Sequence, residues 1–381
     1  MVWGVKMITR KDLYNMFGWR TDRHLVVIES DDWGSIRMPS KAAYDEFLKH
    51  GVGVDKDPYC KYDSLATSSD LERLFEVLCS VKDKNGRPAV ITANTLTANP
   101  VFEKISDSGC TQYYFEPFTE TLKNSPFHAN AFSLWQQGIE EGVFHPQSHG
   151  REHLNVKKWL SALREGHPST CLAFQLGTWG LTWEADASID TYYMGAFDSG
   201  LEDDIVDYKK IIAEGLQMFN DIFGYSSKSF IATTYTWSPR VEPVLAANGV
   251  KYIQSTVAQK IPIDDKKIIV RRRCFQGSKS KAGLVRLMRN CYFEPSIQPK
   301  FDWVGDCMNR IENAFKWKKA ANICAHRLNF IGSIDSSNTD RNTPMLKKLL
   351  TEIVKRWPDV EFITSDQLGD IIVKQRLEKH K

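Results

Sequence analysis

The sequence predicts an α/β fold, a distorted (β/α) barrel of seven or eight parallel strands, from three observations. Short β-rich runs alternate with amphipathic stretches, polar residues gather at the C-terminal ends of several runs, and no GxGxxG follows the first run as an open dinucleotide-binding sheet would require. The runs are HLVVIES at 24 to 30, AVITAN at 89 to 94, VFHPQSH at 143 to 149 and KSFIATTY at 228 to 235. KYIQST at 251 to 256, GLVRLMRN at 283 to 290, ANICAHR at 321 to 327 and VEFITS at 360 to 365 continue the series. Stretches such as SSDLERLFEVLCSVKDK carry the helical spacing of apolar residues between them.

One catalytic domain over 1 to 381 is the simplest division, with an insertion or lid expected around 155 to 225, a Trp-rich and acidic stretch long for one barrel connection. Fifty Lys and Arg against 47 Asp and Glu leave a formal charge of +3, which argues against a nucleic-acid partner. The eight cysteines show no CxxC pair and fit a reduced compartment. Neither a signal-peptide core nor an 18-residue apolar run is present, so a cytoplasmic chain without membrane insertion is expected. Oligomeric state leaves no trace in the sequence.

Three constellations carry chemistry. Asp31 and Asp32 end the first apolar run in VVIESDDWGS, where a turning backbone can bring both carboxylates to one pocket; they could equally cap the next segment. His149 and His153 in SHGREHLN would share one face of a helix, near enough to chelate an ion, or could be ordinary exposed histidines. His326 ends the run NICAHR, either as a rim residue or as a proton donor. Two imidazoles and a carboxylate leave a coordination position open for water, the arrangement of a catalytic metal site.

In this order the motifs resemble those of the polysaccharide deacetylase family, over residues 24 to 330 or so. ESDDWG is similar to its aspartate-pair motif, HGREH to its HxxxH motif, and Cys324, Ala325 and His326 to its late strand end. The resemblance implies a divalent metal, most often Zn2+ with Co2+, Fe2+ or Mn2+ as alternatives, held by Asp32, His149 and His153. It further implies Asp31 as general base, His326 as general acid, and Asp302 with Trp303 in KFDWVGD as the pair that orients His326 and walls the acetyl pocket. The implied substrate is an N-acetyl or O-acetyl group on a carbohydrate, in surface polysaccharide metabolism; a metal amidase on another amide and a carbohydrate-binding pseudoenzyme are the alternatives.

One motif departs. The family's RxPY should fall at FIATTYTWSP, where Ala232, Thr233, Thr234 and Tyr235 stand without an arginine. Either another cation, such as Arg151, Arg273 or Arg289, is then expected to hold Asp31, or catalysis is weakened. Asn94, at the end of AVITAN, together with Trp303, Arg289 and Tyr235, is expected to meet the substrate, and Arg286 and Arg289 could face an anionic sugar, a phosphate or Asp31.

Overall fold

The computed structural model describes residues 10–179, 181, 192–264 and 269–379. Its main sheet holds β1 (Leu25–Trp33), β2 (Ile91–Leu96), β3 (Phe144–Gly150), β4 (Ser229–Ile231), β5 (Tyr252–Ser255), β6 (Val285–Met288), β7 (Cys291–Tyr292), β8 (Ala321–His326) and β9 (Glu361–Phe362). The strand order is β6-β5-β4-β3-β2-β1-β8-β7, with β9 paired to the start of β1, and every pairing is parallel.

The two ends of that order are halves of one chain segment. Only Arg289 and Asn290 separate β6 from β7; the Arg289 amide donates to Ser255 O in β5 (3.0 Å) and the Asn290 amide to Asn322 O in β8 (3.2 Å). The sheet therefore curls until one kinked segment touches both of its edges, which is a distorted α/β barrel.

Alternation along the strands sorts the side chains into layers. Val26 and Ile28 of β1 face outward and join Ile91, Phe144 and Ile323 against the helices Ser68–Ser80, Ala131–Glu140, Trp303–Lys316 and Ser337–Arg356. The first of these helices starts on a capping box, Thr67 and Asp70 each accepting from the other's backbone amide. Leu25 and Val27 face inward with Tyr252, Val285 and Leu287, and Leu368 and Ile372 of the helix Ser365–Lys379 plug that end.

Two residues further along the same face come Glu29 and Asp31, and the interior turns polar. Asn94 and Gln254 exchange amide hydrogen bonds of 2.9 Å across the lumen, and Gln147 accepts from the Ser229 amide at 2.7 Å. The C-terminal mouth is thus built of hydrogen-bonded side chains over an apolar floor.

Each expected run contains a strand, though only Ser229–Ile231 of KSFIATTY and Glu361–Phe362 of VEFITS are extended. Two antiparallel hairpins were not anticipated, Ala98–Pro100 with Phe115–Pro117 and Ala258–Pro262 with Ile269–Arg273. The stretch expected to form an insertion or lid contains the helices Val156–Arg164, Pro168–Gln175 and Glu202–Phe223, and residues 180 and 182–191 of it lie outside the described residues. All eight cysteines are free thiols. Among the described residues no helix is long and apolar enough to cross a membrane.

Candidate functional site

The ladder of β1 breaks where the carboxylates begin. Its pairing with β2 shifts register between Ser30 and Trp33, and Asp32 takes a left-handed φ of 72°, a conformation that costs a non-glycine residue about 1–3 kcal/mol. A regular strand would send Asp31 and Asp32 to opposite faces; the irregularity brings both to the barrel mouth. Gly34 completes the turn at φ 84°, where a Cβ would lie 2.3 Å from Leu96 O.

Asp32 Oδ1 lies 3.3 Å from His149 Nε2 and 3.7 Å from His153 Nε2. The helix expected to align the two histidines is absent. His149 ends a strand, Gly150 turns the chain at φ 113°, and the following loop returns His153, so that the rings meet at 5.3 Å and 80°.

One ligand atom from each of these three side chains lies within 4.8 Å of the others, a group that could hold a metal ion. Their chemistry fits a divalent cation. His149 Nδ1 sits 2.9 Å from Ile231 O, which can only accept, so a ring proton is there and Nε2 is the nitrogen turned to the Asp32 carboxylate. A divalent ion between that nitrogen and the carboxylate oxygen would be met by a lone pair from each. Burial pushes His153 down to about 3 against the pull of Asp32, leaving it neutral, and its Nδ1 has no hydrogen-bond partner among the described residues.

Asp31 is held by the cation that the altered motif left open. Arg289 Nη1 and Nη2 donate to its two oxygens at 2.7 and 2.6 Å, a bidentate fork, while Nε donates to Glu29 at 2.6 Å. One wholly buried guanidinium therefore serves two buried carboxylates. Burial would raise Asp31, but Arg289 outweighs it and holds the carboxyl below its ordinary value; Glu29, deeper and sharing the same cation, is raised by burial. Arg289 thus braces Asp31 from behind. Arg151 is committed to Glu152 and Glu214, Arg286 to Glu242, and Arg273 is exposed on a hairpin.

His326 Nε2 faces Asp31 Oδ2 at 3.8 Å, and its Nδ1 is 2.6 Å from Glu294 Oε1. Burial disfavours the charged ring, yet Glu294 and the two aspartates raise His326 to about 10. Asn329 fixes the pair, donating to Glu294 Oε2 at 2.8 Å and to His326 O at 3.0 Å. Glu294, Cys324 and His326 also bring ligand atoms together. Burial pushes the Cys324 thiol up to about 12, however, and Arg289 Nη1 lies 3.2 Å from its sulfur, so that corner is already supplied with a cation.

Asp302 is corrected here. It is exposed and caps the helix Trp303–Lys316 by accepting from the Gly305 amide at 3.0 Å; Glu294 has the place beside His326 expected for it. Trp303 is corrected with it: its indole donates to Gln298 O and its ring packs on Phe301. Asn94 donates to Asp31 Oδ1 at 2.7 Å, so it supports the aspartate rather than reaching into the mouth. Tyr235, which with Thr234 adopts positive φ after β4, turns its hydroxyl to accept from Arg289 at 2.8 Å. Trp179, stacked near His153, and Tyr59, edge-on to His326 at 5.5 Å, are the aromatic walls.

Glu29, Arg37, Tyr59, Trp179, Gln254 and Glu294 were not singled out in the sequence. Two of them leave a signal: Glu29 is an acid inside an apolar strand, and Glu294 is the lone charge in NCYFEPSIQP.

No protein-family model matches the chain, and no curated protein matches it in sequence. Among solved structures, a Mycobacterium smegmatis protein assigned as a polysaccharide deacetylase matches at 12% identity and TM-score 0.45, with 94% of each chain covered. A Parabacteroides distasonis protein assigned as a glycoside hydrolase/deacetylase matches at 9% and 0.47, covering 94% of this chain and 73% of that one. A 4-alpha-glucanotransferase from Thermococcus litoralis matches at 9% and 0.45, covering 91% of this chain and 40% of that enzyme. The solved structures to which the chain is similar thus include polysaccharide deacetylases.

Proposed function

We propose that this chain is a metal-dependent deacetylase that hydrolyses an N-acetyl or O-acetyl group from a carbohydrate, with Asp32, His149 and His153 as metal ligands. The observation that carries the reading is the convergence of those three donors beside an ionised carboxylate, Asp31, and a protonated imidazole, His326. The carbohydrate rests on the motif resemblance; the hydrolysis rests on the groups themselves.

A divalent ion bound there supplies Lewis-acid polarisation of an acyl carbonyl and acidifies water. Asp31 is ionised and braced on one side by Arg289 and Asn94, so Oδ2 can take a proton from attacking water. His326, with Nδ1–H committed to Glu294, holds a proton on Nε2 for the leaving nitrogen or oxygen. Water adds to the acetyl carbon, the C–N or C–O bond breaks, and acetate leaves with the amine or hydroxyl.

Acetate release from N-acetylated and O-acetylated sugars by zinc-loaded wild type and Asp31→Asn tests this. Release that falls by about 10²–10⁴ in the variant, with metal retained, is expected for loss of a general base. No release from any acetylated sugar, or equal release from both proteins, overturns it.

A further inference from the structure

Beside the candidate metal ligands lies a narrow cleft lined by Asp32, Ser35, Arg37, Asp63, His153, Trp179, Met194 and Arg327. Two of these are guanidinium groups. Arg37 is 6% exposed and, among the described residues, hydrogen-bonds only Met194 Sδ, a weak acceptor. It forms no ion pair within 4.0 Å among those residues; its guanidinium carbon lies 5.1 Å from the Tyr59 ring centroid and 5.7 Å from that of Trp179. Arg327 is 1% exposed, and its Nε and Nη1 are satisfied by Asp63 and Ser35 O at 2.9 and 2.8 Å. Its Nη2 pairs with the same Asp63 oxygen at 2.9 Å but off the hydrogen-bond direction, and has no hydrogen-bond partner among the described residues.

Asp63 accepts a hydrogen bond from Arg327 and Asp32 is turned to the histidines; both attract Arg37 through space, but among the described residues neither accepts a hydrogen bond from it, so its donors other than the one on Met194 are unclaimed there. Burying a guanidinium without an acceptor is costly, and its planar fork matches the two oxygens of a carboxylate. The aromatic rings of Tyr59 and Trp179 flank the guanidinium at cation–π distance.

We propose that Arg37 binds a carboxylate carried by the substrate itself, which makes the substrate an acetylated acidic sugar rather than a neutral one. This rests on the deacetylase reading and names the substrate class of the same site. Arg37 lies against Tyr59, which meets His326 edge-on, and against Trp179, which stacks near His153, so a carboxylate held by it keeps the sugar at the mouth where the acetyl group meets the catalytic groups.

Glucuronate, glucose and acetate have no acetyl ester or amide to lose, so their binding to the zinc-loaded full chain can be read by calorimetry without turnover. In wild type, glucuronate is expected to bind tighter than glucose by about tenfold or more, the effect of one charge-assisted hydrogen-bond pair. Arg37→Met should erase that preference and Arg37→Lys should keep part of it, with the metal content and melting temperature of both variants showing that the fold survives. A preference that survives Arg37→Met would place the carboxylate on the metal and overturn the proposal. Equal binding of the two sugars by wild type would also overturn it, leaving Arg37 a packing residue. Acetate bound as tightly as glucuronate would show that the guanidinium holds the released product instead. Acetate release from neutral acetylated sugars, measured on the same preparations, separates the outcomes: its absence counts against the deacetylase reading, whereas release with no preference for acidic sugars counts against Arg37 alone.

Discussion

His153 and His326 stand at the same barrel mouth, both largely buried, yet one is neutral and the other carries a positive charge. Burial pushes His153 down to about 3, although Asp32 is near, and holds it neutral as a ligand must be. The same penalty acts on His326, but a 2.6 Å contact with Glu294 reverses it and raises the ring to about 10. A carboxylate at 3.7 Å leaves desolvation dominant, whereas one in direct hydrogen bond overcomes it. One half of the mouth is thereby prepared for a cation and the other for delivering a proton.

The largest effect expected from breaking this contrast comes from Asp31→Asn, already described, since Asp31 sits between the halves. His326→Gln follows: it removes the proton donor and should cost about 10²-fold or more in acetate release, most severely for amide substrates, whose leaving nitrogen needs the proton. A comparable loss on activated aryl acetates, whose leaving group needs none, would contradict that role.

Arg289→Met would leave two buried carboxylates without their shared cation, a change expected to cost about 3–5 kcal/mol of stability. Chemical denaturation measures it, and a variant as stable as wild type would show that Glu29 or Asp31 is already protonated.

Glu294→Gln sharpens the comparison through pH. His326 acts as an acid only while protonated, so the alkaline limb of the rate profile follows its folded pKa, which Glu294 and the aspartates raise to about 10 and a nearby divalent ion would lower. Without Glu294 only the two aspartates oppose the burial penalty, as Asp32 does without success at His153, and the limb should move acidward. A limb that stays in place would assign it to another group.

Asp302→Ala should have the smallest effect. It removes a helix cap worth about 1 kcal/mol and should leave acetate release unchanged. A large loss of activity without unfolding would return Asp302 to the site.

The succession of strands and the convergence of Asp32, His149 and His153 were legible in the sequence because each of these residues ends, or closely follows, an apolar run whose direction fixes where it lies. Their mutual geometry was not. His149 and His153 read as one helical turn, yet Gly150 and a loop bring them together. The partners of Asp31 and His326 were the least legible part, because Arg289 is 258 residues from Asp31 and Glu294 is 32 from His326. Only closure of the barrel through the kinked segment after β6 brings Arg289 inward, and no local pattern separates it from Arg151 or Arg273. Asp302 was misplaced for the converse reason: FDW reads equally well as a motif and as the N-terminal cap of a helix.

The central claim is tested most directly by elemental analysis of the purified full chain beside the His149→Ala, His153→Ala double variant, each after reconstitution with zinc and desalting. About one divalent ion per chain in wild type and none in the variant is the predicted result. A wild-type chain that holds no metal, or a double variant that keeps it, would contradict the account.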